Sequence, residues 1–595
     1  MLHLLLLLGI ALLLLALFRQ AIPRLPERGA LIIRPSGELT EQLSGEPVER
    51  ALSEAQGQGA PQTLLWDLTR AIRAAAGDQR IQALLIETDD LSAAGQVKLE
   101  ELGAAVAEFR HAGKKVIAHG SYFLQNQYYL AAQADEVYLD PFGFVLLDGY
   151  ARYRMFYKDA LDKLAVDVHL IRAGKFKSAD EPFVRHDMSA EDKQESSVYL
   201  QALWQGYRRS VAKARHLDPE ALNAYANDYA AAVQRAGGDT AAVALQARLV
   251  TGLRTGGQVE QRMVELVGSD SERHGFHAVS LQDYLRVVGA STRLHHHRDG
   301  AIGVVMASGE ILDGTQPPGT VGGESTAALL RRARDDADIK AVVLRIDSPG
   351  GSVLASEQIY REVGALREAG KPVVASMGDV AASGGYYIAA PADEILASAN
   401  TITGSIGVFA TVPTFDRTLA KLGVQVDGVG TTALSGVLRI DRPLQPQAEA
   451  ILQSSVNHSY AQFLERVATG RHKRSADIDA IAQGRVWAGS DAQRLGLIDR
   501  VGGFQDALHA AAKRARMGDD YEVRVVEPDL TLAQQLLLNI RGYVARFMRA
   551  TGLVAAPPAL LQLNAALKPL LPELARWRRF SATQRSYAYC FCSVE

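Results

Sequence analysis

A serine hydroxyl becomes a nucleophile when a neighbouring base takes its proton. Two residues of this sequence could supply such a pair. Ser383 lies in Gly378-Asp379-Val380-Ala381-Ala382-Ser383-Gly384-Gly385-Tyr386-Tyr387, an apolar run followed by a turn of small residues and the start of a helical pattern. At the helix start the positive dipole end favours negative charge on the serine oxygen or on a bound oxyanion. Gly384 and Gly385 leave room for a substrate backbone. An ordinary serine N-cap accounts for the same segment. The histidines after Ser383 are His458, His472 and His509, and no neighbouring pattern marks any of them as a triad member. Lys177 stands in Arg172-Ala173-Gly174-Lys175-Phe176-Lys177-Ser178-Ala179-Asp180-Glu181-Pro182-Phe183. To act as a base its pKa must fall from about 10.4 to about 7, roughly 4–5 kcal/mol, which full burial can supply. A surface charge beside Asp180 and Glu181 is the alternative, and Lys175 is a rival base. Ser405, in Thr403-Gly404-Ser405-Ile406-Gly407, could orient the amine. Ser348-Pro349-Gly350-Gly351-Ser352 follows an apolar run and precedes a helix from about Val353, so its backbone N–H groups could hold an oxyanion. A plain turn capped by Ser352 fits equally.

An internal repeat positions these residues. The segment from Ala83 matches that from Ala341: an apolar run ending in Asp, a loop of small residues, an amphipathic helix, Ala-Gly-Lys and another apolar run. Tyr128-Tyr129 matches Tyr386-Tyr387, and Ala134-Asp135-Glu136 matches Ala392-Asp393-Glu394, each at a spacing of 258. In that register Ser383 faces Gln125, Gly350 and Gly351 face Ser92 and Ala93, and Lys177 faces Ser435. One half holds a serine without the lysine, the other a lysine without the serine. The active site is therefore expected where the halves, or two subunits, meet. Val/Ile/Leu runs alternate with helical patterns, which predicts an α/β fold with buried, largely parallel strands.

The 595 residues suggest three or four units, or two large ones. With 48% hydrophobic and 22% charged residues the chain has an ordinary globular balance. A net charge of −3 carries no electrostatic footprint for nucleic acid. The only cysteines, Cys590 and Cys592, exclude a disulfide framework. Leu2 to Phe18 is almost wholly Leu, Ile and Ala. As a helix it spans roughly 26 Å, a little short of the ~30 Å hydrocarbon core. It lacks a basic stretch before Leu4 and a clear A-x-A site after Leu15, so an uncleaved anchor is expected rather than a signal peptide. Arg19, Arg24 and Arg28 follow the span, and the positive-inside rule alone would keep the body cytoplasmic. The expected layout is an anchor over 1–20, a first repeat over 30–285, a second over 299–520 and a helical tail over 525–595. Ser291–Gly300 reads as a polar linker, and His295–His297 lack partner ligands at metal-binding spacing.

Asp347-Ser348-Pro349-Gly350-Gly351, Ala382-Ser383-Gly384-Gly385-Tyr386-Tyr387, Thr403-Gly404-Ser405-Ile406-Gly407 and Gly174-Lys175-Phe176-Lys177-Ser178-Ala179 together resemble the signal peptide peptidase A family, in its long duplicated bacterial form. Gly484-Arg485-Val486-Trp487-Ala488-Gly489 adds to the likeness, which covers roughly residues 30–520. The resemblance implies two tandem crotonase/ClpP-like repeats and a serine–lysine peptidase. It further implies a homotetramer on the bacterial inner membrane with a periplasmic body, acting on cleaved signal peptides and other hydrophobic peptides. It implies Ser383 as nucleophile and Lys177, directly before Ser-Ala, as base. Ser405 would orient the lysine, Gly350 or Gly351 would supply an oxyanion N–H, and Gly384 would support the serine. No metal or cofactor is implied. The chain departs from the family pattern in the missing basic segment before the anchor and in the tail after about 525. A crotonase-type acyl-CoA enzyme and a non-catalytic membrane scaffold are the competing readings.

Overall fold

The computed structural model describes Pro23 and residues 25–55, 60–271, 275–294, 299–528, 586–590 and 592. The expected anchor, His295–His297 and most of the expected tail lie outside these residues. Among the described residues no helix is long and apolar enough to cross a membrane.

The chain forms two compact units. The described part of the first comprises Pro23 to Asp148 and Arg208 to Leu294. Its main sheet runs Ala278–Ser280, Gly29–Ile33, Ile81–Glu87, Lys115–Gly120, Glu136–Leu139, Gly252–Leu253, with every neighbouring pair parallel. A parallel sheet is covered on both faces, so its strands read as unbroken apolar runs. Ala83, Leu84, Leu85 and Ile86 are all buried accordingly. Ala30, Ala83, Leu85, Ile117 and Tyr138 pack against Val259, Met263 and Val267 of helix Gly256–Val267.

The second unit comprises Gly149–Tyr207 and the described residues from Asp299 onward. Its first sheet has the order Val486–Ala488, Ile402–Gly404, Val373–Ala382, Ile339–Ser348, Ala301–Ser308, Glu522–Val525. Strand Val373–Ala382 forks. Its start pairs with Glu394–Ala397, and its end, at Val380 to Ala382, pairs with Ile402–Gly404. The end of the strand, just before Ser383, is thus held between Ser348 on one side and Thr403 on the other, both paired with Ala381. The second sheet of the unit runs Val321–Gly322, Ile311–Leu312, Gly350–Ser352, Tyr587–Tyr589, Val408–Thr414, Asp167–Ala173.

The repeat is visible element by element. Helices Leu65–Gly77 and Gly323–Asp335, strands Ile81–Glu87 and Ile339–Ser348, strands Lys115–Gly120 and Val373–Ala382, strands Glu136–Leu139 and Glu394–Ala397, and helices Lys158–Lys163 and Asp416–Lys421 all begin 258 residues apart. The compact units differ from contiguous halves in one respect. Asp167–Ala173 pairs antiparallel with Val408–Thr414 over seven positions, from Val408↔Ala173 to Thr414↔Asp167. That ladder draws Gly149–Tyr207 out of its own half of the sequence. The two cysteines, Cys590 and Cys592, are joined to each other, a bond that closes only a three-residue loop.

Candidate active site

Strand Val373–Ala382 delivers Ser383 to the start of helix Gly384–Ala389. The turn is abrupt. Ser383 has φ 57° and ψ −115°, a conformation a side-chain-bearing residue holds only when its surroundings impose it. Its N–H donates to Gly404 O at 2.8 Å, and its carbonyl accepts from Tyr387 N–H at 2.9 Å. Its side chain makes no cap hydrogen bond, so the plain N-cap reading does not hold. The hydroxyl turns instead to Lys177, 2.7 Å from Nζ, and Ser383 is completely buried.

Lys177 reaches this point because strand Asp167–Ala173 runs along the edge of the second sheet and the chain folds back just beyond it. Phe176 N–H donates to Gln483 O at 2.7 Å, and Lys177 N–H donates to Gly174 O at 3.2 Å. Gly484 presses on the loop so closely that a Cβ there would lie 2.7 Å from Lys177 N. The Arg485 guanidinium lies over the Phe176 ring, 3.9 Å from its centre. Besides Ser383, Lys177 Nζ meets Ser405 Oγ and Ser405 O, each at 3.0 Å. A neutral amine has two N–H donors and one lone pair. The Ser405 hydroxyl and carbonyl can take the two donors, which leaves the lone pair for the Ser383 proton. Burial holds the Lys177 pKa at about 7, against the opposing pull of Glu195 and Asp180. Burial also raises those two acids, Asp180 to about 7 and Glu195 to about 8. Lys175 is exposed and lies 3.4 Å from Glu191.

Gly350 and Gly351 belong to a short strand and not to a loop, and Ser352 caps the following helix by accepting from Ala355 N–H. Gly350 has φ 99°, and a Cβ on it would lie 2.6 Å from the N atom of Gly384. Only glycine allows this approach of the strand to the residue after Ser383. The Gly350 N–H is committed to Ser348 Oγ at 3.1 Å. Gly351 in turn pairs with Ala588 of the neighbouring strand.

Ser383, Lys177, Ser405, Gly350, Gly351 and Gly384 thus meet within one chain and one unit. The halves of the sequence contribute to the site because one lends a segment to the other. Sequence reasoning passed over the group that holds that segment. Asp192 is buried between Arg152, at 2.9 Å, and Arg154, at 3.3 Å, and accepts from Ser178 Oγ at 2.7 Å. Arg154 also donates to the carbonyls of Ser178, at 3.1 Å, and Ala179, at 2.7 Å. The 258-residue register sets Arg152, Arg154, Asp180 and Asp192 against Ala410, Val412, Leu438 and Ala450. The comparison that singles out Lys177 would have found this group too.

The family model described as Peptidase family S49 matches residues 108–269 and 365–518. Protease 4 of Salmonella typhi is 38% identical over 567 residues, which cover 95% of this chain and 90% of that protein. Protease 4 of Haemophilus influenzae is 36% identical over 577 residues, covering 95% and 91%. Among solved structures, ClpP1 from Listeria monocytogenes matches with a TM-score of 0.23 and 14% identity, over 34% of this chain and 94% of that one.

Proposed function

Since the chain belongs to peptidase family S49 and is a serine peptidase, we propose that Ser383 is its nucleophile and Lys177 its general base. The observation that carries this reading is the 2.7 Å contact between Ser383 Oγ and a lysine whose buried amine titrates at about 7. Neutral Lys177 takes the Ser383 proton as the oxygen attacks a peptide carbonyl. The N–H groups of Gly351 and Gly384 stabilise the oxyanion. The lysine hands its proton to the leaving amine, then activates the water that releases the acyl group. Ser405 positions the amine throughout.

The substrates in this reading are extended hydrophobic peptides, including cleaved signal peptides. The resemblance of the loops supports it. The first repeat keeps a crotonase/ClpP-like scaffold and lends the base, and the second does the chemistry. An anchor over 1–20, a periplasmic body and a homotetramer on the bacterial inner membrane complete the proposal. The acyl-CoA and scaffold alternatives give way to the family match. Ser383→Ala and Lys177→Ala should each abolish cleavage of a hydrophobic reporter peptide, measured by fluorescence release. Full activity in Lys177→Ala would sink the mechanism.

A further inference from the structure

Ser383 is completely buried, and Lys177 and Ser405 are only 3% and 2% exposed. A dyad so enclosed is cut off from bulk solvent, yet the second half of its reaction consumes a water. That water needs a place beside the base. A cavity of about 20 Å³ lies there, which is room for one water molecule. Its polar wall consists of Lys177, Ser178, Ser405, Arg152, Glu195 and Tyr199.

Most of that wall is committed elsewhere. Arg152 donates to Asp192 at 2.9 Å and to Ser196 Oγ at 3.0 Å. Ser178 Oγ donates to Asp192 at 2.7 Å, and the Ser405 hydroxyl meets Lys177 Nζ at 3.0 Å. Glu195, on helix Ala190–Arg215, differs. It is buried, its carboxyl accepts from the Val486 N–H, and its Oε2 has no hydrogen-bond partner. Buried polar atoms are nearly always paired, so an unpaired one needs an occupant to complete it. Tyr199 lies four residues on, on the same face of the helix, and its hydroxyl is buried as well. In the 258-residue register Glu195 and Tyr199 face Gln453 and Asn457. The pair therefore occurs, like Lys177, only in the half of the sequence that supplies the base. Burial raises the Glu195 pKa to about 8, so at neutral pH its carboxyl carries a proton and can donate one hydrogen bond while accepting another.

We propose that this cavity seats the water that hydrolyses the acyl-enzyme, and that Glu195 is its positioning residue. The inference rests on the Ser383–Lys177 reading. Once the amine has left, Lys177 is neutral again and its two N–H groups still face Ser405. Its lone pair no longer meets a serine proton. It takes one from the seated water as the water oxygen attacks the acyl carbon. The Ser383 Oγ–C bond then breaks, Lys177 returns the proton to Ser383 Oγ, and the peptide leaves as a carboxylic acid that ionises. Glu195 makes no bond to the acyl group. It holds the water until the lone pair is free.

A hydrophobic peptide p-nitrophenyl ester separates the two halves of the reaction, because its phenol leaves readily and deacylation limits turnover. Full-length wild type, Glu195→Leu, Glu195→Gln and Tyr199→Phe are compared by stopped-flow release of p-nitrophenol and by intact mass. Glu195→Leu should give a burst of about one p-nitrophenol per chain at the wild-type rate. Its steady state should then be slower by about 10- to 100-fold, with the acyl group held on Ser383. Glu195→Gln, which still offers a donor and an acceptor, should recover most of that loss. Tyr199→Phe, nearly the same shape, should slow the steady state by a smaller factor and spare the burst. It carries the test if Glu195→Leu fails to fold. Burst and steady state that fall together in these variants, or that both stay at wild-type values, overturn the inference and leave the dyad standing. An acyl group found anywhere other than on Ser383 overturns both.

Discussion

The buried amine of Lys177 makes the pH dependence of activity the sharpest test of the dyad. Only the neutral amine can accept the Ser383 proton, so activity is lost as pH falls through its pKa. With that pKa at about 7, the neutral fraction rises from about one tenth at pH 6 to about nine tenths at pH 8. The value of kcat/KM should then climb about tenfold over that range and level off above it. An ordinary lysine near 10.4 would give about a hundredfold rise over the same range and no plateau. Asp180, at about 7, and Glu195, at about 8, lose their own protons in this window and each favours the ammonium. The acid limb should therefore be shallower than that of a single group. Glu195→Gln should steepen it and move its midpoint to lower pH. The assay is kcat/KM for a reporter peptide with blocked termini, from pH 5.5 to 9.5 at constant ionic strength. A rate still climbing log-linearly at pH 9.5 would refute the buried neutral base. Stability carries the same signature with a defined sign. The folded pKa lies below the unfolded one, so the unfolded chain binds the extra proton between about 7 and about 10.4, and stability rises with pH across that window.

Ser405→Ala removes one of the two groups that fix the amine and leaves the carbonyl contact at 3.0 Å. One such hydrogen bond is worth about 1–3 kcal/mol when its partner is left buried, so kcat should fall about 5- to 150-fold with KM unchanged. A loss confined to KM would argue against a positioning role. Gly350→Ala forces a Cβ within 2.6 Å of Gly384 N at φ 99°, and kcat/KM should drop by at least about a hundredfold. Reporter kinetics alongside thermal unfolding separate that from collapse of the fold. Asp192→Ala leaves Arg152 and Arg154 without their shared carboxylate and should destabilise the second unit by about 3–5 kcal/mol. The readout is denaturant unfolding, and wild-type stability in that variant would contradict the anchoring role.

That Ser383, Lys177 and Ser405 come together was legible because each has a neighbourhood rich in small or apolar residues, and because the repeat gives every position an internal control. Gln125 and Ser435 carry that information as much as Ser383 and Lys177 do. The exchange of Gly149–Tyr207 between units was not legible. Asp-Val-His-Leu-Ile-Arg-Ala at 167–173 reads as a strand in any context, and its partner, Val408–Thr414, is chosen by tertiary packing across more than two hundred residues. Gly350–Ser352 reads as a turn because its strand character comes from its neighbours on both sides. Tyr587–Tyr589 has no counterpart in the repeat, so nothing in the register pointed to its place in the second sheet.

The ladder between Asp167–Ala173 and Val408–Thr414 also governs when activity can appear. The serine and its lysine are 206 residues apart in sequence, and contacts of such separation form late because a long loop must close first. A chain emerging from synthesis carries the lysine long before the serine exists. A partly folded chain that has both still lacks the ladder that joins them. In the proposed dyad, proteolytic competence is thereby tied to closure of this ladder, which a partly folded chain lacks.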